Sequence, residues 1–441
     1  MKKPINKIWL AFSTFMFIWL LLLYSFSILK TKFISENKVY QNVVHREKSS
    51  NCSGRYIYIH NLPTQFNVDI LKNCTTLFKW FNMCKSISNM GLGKKTSHKN
   101  WYATNQFNLE IIFHNRMNQY ECLTKNSSLA TAIYVPYYAG FDVGRFLFRK
   151  TDISVRDKNV VDLVNWLTKQ PEWKKMSGLD HFLISGRVTW DYRRQSDEQS
   201  SWGNKLFLTP EIRNMTALII EKDPFDNKLE VAIPYPSYFH PSNSIEIKKW
   251  QNEVKKMKKK FLFSFIGSPR PKDNKSNRGE IINQCLKSRR CNLLDCKNNK
   301  CDDPLLVIKA FGKSKFCLQP AGDTYTRRST FDAILAGCVP VFFHRRSAYG
   351  QYVWHLPKNY TKYSVIINEN EVKEGKVNIE KVLGKISKME VMAMREEVVK
   401  LIPKLLYVNP MKKVEKGLED AFEIAVKGVL ERIKERQKKI I

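Results

Sequence analysis

From Arg55 onward, short apolar runs alternate with stretches whose apolar positions recur every three or four residues. Residues 56–59, 132–136, 182–184 and 217–220 read as buried strands, and 107–117 and 160–167 have helical spacing. Strands alternating with helices predict a parallel sheet wrapped by helices. Residues 233–243 carry Pro234, Pro236 and Pro241 and read as an extended linker. After it the pattern restarts, with strands at 261–266, 316–318 and 339–343 and helices at 279–286, 304–310 and 328–336, the last closed by Gly337. Two α/β halves joined in this way place a cleft between facing strand ends, where ligands of doubly wound sheets bind. Near the C-terminus, Val414, Leu418, Phe422, Ala425, Val429 and Ile433 recur at helical spacing, predicting an amphipathic helix packed on the body.

The N-terminus differs from this alternation. Residues 8–29 carry no charge, and a helix of that length spans about 33 Å, enough for a bilayer core. Lys2, Lys3 and Lys7 precede the run, which keeps the short tail cytosolic and puts the rest of the chain in a lumen. The bulky run continues to Leu29 with no small-residue cleavage pattern, so a signal anchor is expected rather than a cleaved peptide. Residues 30–54 lack periodicity and read as a stem. Asn-x-Ser/Thr sites at Asn51, Asn73, Asn126, Asn214, Asn274 and Asn359 all follow the anchor, as do all ten cysteines. Two or three structural disulfides are expected. Cys291, Cys296 and Cys301 crowd a Lys/Asn-rich loop, whereas Cys317 and Cys338 sit in apolar runs and read as buried free thiols.

The 441 residues carry a formal charge of +33, spread along the chain, and 43% are hydrophobic, which excludes a disordered protein. Nucleic acid is excluded as a partner because the basic body is expected to be lumenal. There is no Gly-x-Ser-x-Gly and no Cys-x-x-Cys, and Val307 stands where a phosphate loop ending at Gly312-Lys313-Ser314 needs its first glycine. No two aspartates are separated by a single residue, so the paired carboxylates that hold a divalent cation in many sugar transferases are missing and no metal is expected. Two stretches remain. In FCLQPAGDTYTRRSTFDAILAGCVPVFF (316–343) a strand, a glycine-containing loop and a helix follow one another, a form suited to a diphosphate at the loop and to ribose at Asp332. In SFIGSPRPKDNKSNRG (264–279) a strand delivers Gly267-Ser268, and Arg270 and Arg278 follow near a helix start. The expected donor-binding set is Gly267, Ser268, Arg270, Arg278, Gln319, Gly322, Asp323, Arg328, Ser329 and Asp332.

These residues bring a family into view. YIHNLPTQFN (58–67), WYATNQFNLEIIFHNRM (101–117), ATAIYVPYYAGFD (130–142), LDHFLISGRVTWDYRR (179–194), IPYPSYFHP (233–241) and YVWHLP (352–357), with the two stretches above, resemble the exostosin-like glycosyltransferases of family 47, in their plant xyloglucan galactosyltransferase branch. The resemblance spans roughly residues 54–410. It implies a GT-B fold, two Rossmann-like lobes facing a cleft, in a type II Golgi membrane protein that inverts at the anomeric carbon without a metal. The implied substrates are UDP-galactose and xyloglucan, with galactose moved in β linkage to xylosyl side chains. The Golgi membrane and other wall-polysaccharide glycosyltransferases are the implied further partners. The expected organisation is a cytosolic tail (1–7), an anchor (8–29), a stem (30–54), an acceptor-side lobe (55–235), a nucleotide-sugar lobe (236–405) and a C-terminal amphipathic helix (406–441). Two positions depart from the resembled pattern, Ala321 in place of proline and Arg345-Arg346 in place of Pro-Gly. The added charges leave open a second donor, UDP-galacturonic acid. A different wall acceptor is also left open, as is a non-catalytic lumenal partner that has kept the fold.

An inverting transferase needs a base within reach of the acceptor hydroxyl. Asp191, in an aromatic setting after the strand at 182–184, is the first candidate, Asp142 the second and His181 the third. Trp190, Tyr137 and Tyr138 are candidates to stack on sugar faces.

Overall fold

The computed structural model describes residues 52–439 except 227, 272, 274 and 275. The expected tail, anchor and most of the stem therefore lie outside the described residues, as do Asn51 and Asn274. Among the described residues no helix is long and apolar enough to cross a membrane.

The first half contributes β1 (Ile57–Ile59), a small antiparallel pair β2 (Lys94–Lys95) and β3 (Tyr102–Ala103), then β4 (Ala132–Tyr134), β5 (His181–Val188), β6 (Thr216–Glu221) and β7 (Glu230–Ala232). β1, β4, β5, β6 and β7 form, in that order, a parallel sheet. The second half contributes β8 (Phe261–Gly267), β9 (Cys291–Asp295), β10 (Ser314–Gln319), β11 (Val339–Phe342) and β12 (Val365–Ile366), arranged β12-β11-β10-β8-β9, again parallel. Every residue of β4, β6, β7 and β11 is buried, which is why 132–136, 217–220 and 339–343 read as continuous apolar runs rather than alternating ones. No helix or strand interrupts residues 233–243, as the prolines predicted.

Helix boundaries follow their caps. Asn243 accepts from the Glu246 N–H to start Ser244–Lys256, and Asp303 caps Pro304–Gly312, whose first residue is the proline. Gly337, at φ +61°, ends Arg328–Leu335, and a Cβ there would lie 2.2 Å from Val254. The helix Ser244–Lys256 was hidden in the sequence by its lysines, although Ile247, Trp250 and Val254 form its buried stripe. β9 escaped notice because all five of its residues are half-buried, so no contrast marks it. The Cys291 region is thus partly strand rather than loop.

The cysteine reading needs correction. None of the ten cysteines is free. Cys317 and Cys338, expected to be free thiols, are bonded to each other: Cys317 lies in β10 and Cys338 just before the adjacent β11, with the two Cα atoms 5.9 Å apart. Cys74–Cys84, Cys285–Cys291 and Cys296–Cys301 are also bonded.

The C-terminal helix begins at Ala421, after the N-cap Asp420, and runs to Lys438. It packs on the first half of the chain. Phe422 meets Phe113 at 4.6 Å, and the buried Arg116 guanidinium lies over Phe422 and 3.4 Å from Asp420.

Candidate active site

The strand ends of the second sheet gather a cluster of guanidinium groups. β8 ends at Gly267, and Arg278 opens the helix Arg278–Lys287 that follows. Its Nε donates to the Ala321 carbonyl at 3.1 Å and its Nη1 to the Ser268 carbonyl at 3.4 Å, so one side chain joins the loops after β8 and β10. Burial, and then the nearby Arg327 and Arg270, push its pKa down to about 9. Arg270 pairs at 2.7 Å with Asp323, and this partner holds the Asp323 carboxyl below its ordinary value. A Cβ on residue 322 would lie 1.6 Å from Arg327 Nη1 and 3.4 Å from Arg278 Nη2. Glycine at 322 is what allows both groups to reach the loop. Arg278, Arg327 and Arg270 repel one another, Asp323, Asp273 and Glu221 offset part of that repulsion, and an anionic ligand would relieve more of it.

The next residues stand at the same edge. Gln319, the last residue of β10, accepts through Oε1 from the Ser329 hydroxyl at 2.5 Å, while its buried Nε2 has no hydrogen-bond partner in the structure. Asp332 is only 2% exposed. It accepts from Ser237 at 2.7 Å and from Arg328 Nε at 3.2 Å, and burial raises its pKa. Arg328 in turn donates to the Thr104 carbonyl at 2.9 Å and lies 4.0 Å over the Tyr238 ring. Asp332 and Arg328 therefore tie the helix Arg328–Leu335 to the linker and to the 104 segment.

The first sheet reaches the same loop from the other side through a residue the sequence reading missed. Glu221 ends β6, and its Oε2 accepts from Thr324 Oγ1 at 2.6 Å, Thr326 N–H at 2.9 Å and Thr326 Oγ1 at 2.5 Å. Thr326 also meets the Tyr235 hydroxyl at 2.9 Å. The Thr326 N–H, expected to face a ligand, is thus used internally. The available signal was an acid closing a fully buried parallel strand.

Asp191 lies in the single turn Thr189–Tyr192 just after β5. It is 4% exposed, and its Oδ1 accepts from Trp202 Nε1 at 2.7 Å. Burial raises its pKa, and Glu221 and Asp323 add to that rise, so Asp191 is within electrostatic reach of the loop after β10. Trp190 beside it is exposed, whereas Tyr137 and Tyr138 are buried in the core.

The other two base candidates fall elsewhere. The buried Asp142 is occupied by the Tyr137 hydroxyl at 2.6 Å, by Asn159 at 2.7 Å and by Arg145, all within the first half. His181 starts β5, at the opposite end of the strand from Asp191, and is fully buried between Asp180 at 2.7 Å and His60 at 3.1 Å. Alternation alone could not tell which end of β5 faces the cleft; the parallel order of the sheet does.

Residues 51–383 match the Exostosin GT47 domain. A probable xyloglucan galactosyltransferase of Arabidopsis thaliana is 48% identical over 98% of this chain and 93% of its own length. A xyloglucan galactosyltransferase from the same plant is 50% identical over 89% of this chain and 65% of its own length. Another probable member of that group is 50% identical over 87% of this chain and 84% of its own length.

Proposed function

The chain belongs to the exostosin GT47 family, and on that premise we propose that it moves galactose from UDP-galactose, in β linkage, to xylosyl side chains of xyloglucan. Relatives matching most of this chain carry the name of that transfer. The observation that carries the reading is the set of guanidinium groups around Gly322, with the acid Asp191 within electrostatic reach of Asp323 in the same loop. In a GT-B enzyme of this kind the acceptor hydroxyl gives its proton to Asp191 as its oxygen attacks the anomeric carbon. The carbon–oxygen bond to UDP breaks on the far side, so the configuration inverts. Arg278, Arg327 and Arg270 meet the charge that grows on the leaving diphosphate, which makes a metal ion unnecessary. The raised pKa of Asp191 suits a base, because an ordinary aspartate binds a proton too weakly to draw one from a hydroxyl. A Golgi location, with residues 8–29 as a type II anchor and the body in the lumen, completes the reading.

Arg346 favours a second reading. Its guanidinium lies 5.5 Å over Tyr325 of the donor loop and 5.1 Å over Phe225 of the first half, a cation suited to a uronate such as UDP-galacturonic acid. The full-length protein, purified in detergent and offered a panel of UDP-sugars with xyloglucan oligosaccharides in excess chelator, tests both. Galactose transfer is expected, and Asp191→Asn should lower kcat by about 10²–10⁴-fold while sparing UDP binding. Galacturonic acid transfer alone would select the second donor. Turnover that needs added manganese would refute the arginine reading.

A further inference from the structure

β5 has a register irregularity between Ser185 and Val188. Such irregularities re-aim side chains at strand ends. Here the Arg187 N–H donates to Ser185 Oγ at 3.1 Å, and that hydroxyl also bonds the Tyr192 hydroxyl. The Arg187 side chain enters a slot built around it. Its guanidinium lies 4.3 Å from the Phe78 ring centre and 4.0 Å from that of Phe107. The helix Ala139–Gly144 places two glycines against the slot: a Cβ at 140 would lie 2.7 Å from Glu110 Oε1 and 3.0 Å from Arg187 Cγ, and one at 144 would lie 2.3 Å from the Phe78 ring and 3.0 Å from Arg187 Nη2. Glycine in a helix costs about 1 kcal/mol relative to alanine, so two in six residues mark a deliberate close approach. The side chain is only 11% exposed, and its buried Nε has no hydrogen-bond partner in the structure. Nη1 stands 3.9 Å from Asp191 Oδ2, the carboxylate oxygen opposite the one bonded by Trp202.

We propose that Arg187 is the positioning residue of the transfer: clamped between two phenylalanine rings, it faces the free oxygen of Asp191 and holds that carboxylate ionised and aimed at the acceptor hydroxyl. This rests on the reading of Asp191 as the base. The surroundings explain why such a cation is needed. Asp191 is crowded by Glu221 at the end of β6 and by Asp323 of the donor loop, and both, like burial, oppose its ionisation. Arg187 from β5 and the Trp202 N–H favour it. Behind Arg187 stand Glu110 of the helix Leu109–Met117 and Tyr192. Glu110 is spent on the N–H groups of Gly140, Phe141 and Gly186. A side chain serving structure alone would pair its Nε and form a close ion pair, since an ill-paired buried charge is costly.

The test is the pH dependence of kcat and of KM for UDP-galactose in the full-length protein, with xyloglucan oligosaccharide as acceptor. Arg187→Gln should move the acid limb of kcat upward by about one pH unit, with about a tenfold loss below it. The donor KM should stay within about threefold, because among the described residues no hydrogen bond, ion pair or ring contact joins Arg187 to the loop at 319–327. Arg187→Lys should bring the limb part of the way back. Phe107→Leu loosens the clamp without removing the charge and should give a smaller shift in the same direction; it carries the test if Arg187→Gln does not fold. A limb that stays in place in these variants, or a fall in kcat equal at every pH, would overturn the proposal. Asp191→Asn keeps the two failures apart. If it retains the wild-type limb, the base assignment itself is wrong; if it abolishes the limb while Arg187→Gln leaves it unmoved, only the role of Arg187 is refuted.

Discussion

Glu221→Ala probes whether both halves of the chain hold the donor loop. In the native structure one carboxylate oxygen, on a residue 1% exposed, takes three hydrogen bonds from Thr324 and Thr326. Bonds to a charged group contribute about 1.5–3 kcal/mol each. The three are not lost in full. The half-buried Thr324 hydroxyl can turn to water, and the Thr326 hydroxyl keeps Tyr235 at 2.9 Å. The Thr326 N–H is buried and has no substitute, and orphaning it costs about 1–3 kcal/mol. Together with the lost charge assistance the loop is destabilised by about 3 kcal/mol. UDP must then re-order the loop as it binds, so its Kd should rise by up to ~100-fold. Glu221→Gln keeps a carbonyl oxygen for that N–H and should cost about 1 kcal/mol, roughly fivefold in Kd. Titration calorimetry with UDP reads the effect directly, and thermal melting followed by circular dichroism separates it from global unfolding. The glutamine variant has a second signature: with a like charge removed, the Asp191 carboxyl ionises more readily and the acid limb of kcat moves down. UDP binding to Glu221→Ala with native affinity would refute the cross-connection.

Two further outcomes follow from the buried charges. Arg278→Ala removes the link between the Ala321 and Ser268 carbonyls as well as a cation, so UDP affinity should fall by at least tenfold; equilibrium dialysis showing native affinity would exclude Arg278 from the site. Glu110 is pushed from 4.5 up to about 8, mainly by burial, so the folded chain holds a proton that the unfolded chain has lost across that range. Its contribution is therefore fully present below about pH 4.5 and fades as the pH rises to about 8, and Glu110→Gln should flatten the fall of melting temperature over that window. A melting profile with the same slope in the variant would contradict the assignment.

The sequence by itself determined the two α/β halves and the linker between them. Strands buried on both faces are largely apolar, and Pro234, Pro236 and Pro241 lack the N–H that a ladder or a helix interior uses. It also offered a candidate donor edge. Glycine at 322 and arginines at 270 and 278 are local chemistry, readable where a strand gives way to a loop and a helix, whereas Arg327, beside the expected Arg328, came from the structure. The candidate acid was legible as Asp191, but so were Asp142 and His181. The tertiary structure sets His181 at the far end of β5 from Asp191 and encloses Asp142 among Tyr137, Arg145 and Asn159, which is why Asp191 is the acid proposed. The Cys317–Cys338 bond, the grip of Glu221 on Thr326 and the Arg187 slot were likewise settled by tertiary structure. Each joins groups whose separate surroundings in the sequence look like ordinary core or ordinary surface. Glu221 ends a strand of the first sheet and Thr326 lies in a loop after a strand of the second, and Phe78, Phe107, Gly140 and Gly144 meet Arg187 from three separate segments of the first half. Periodicity reports which face of an element is buried; what that face is buried against depends on contacts between distant segments, which exist only once both sheets have formed.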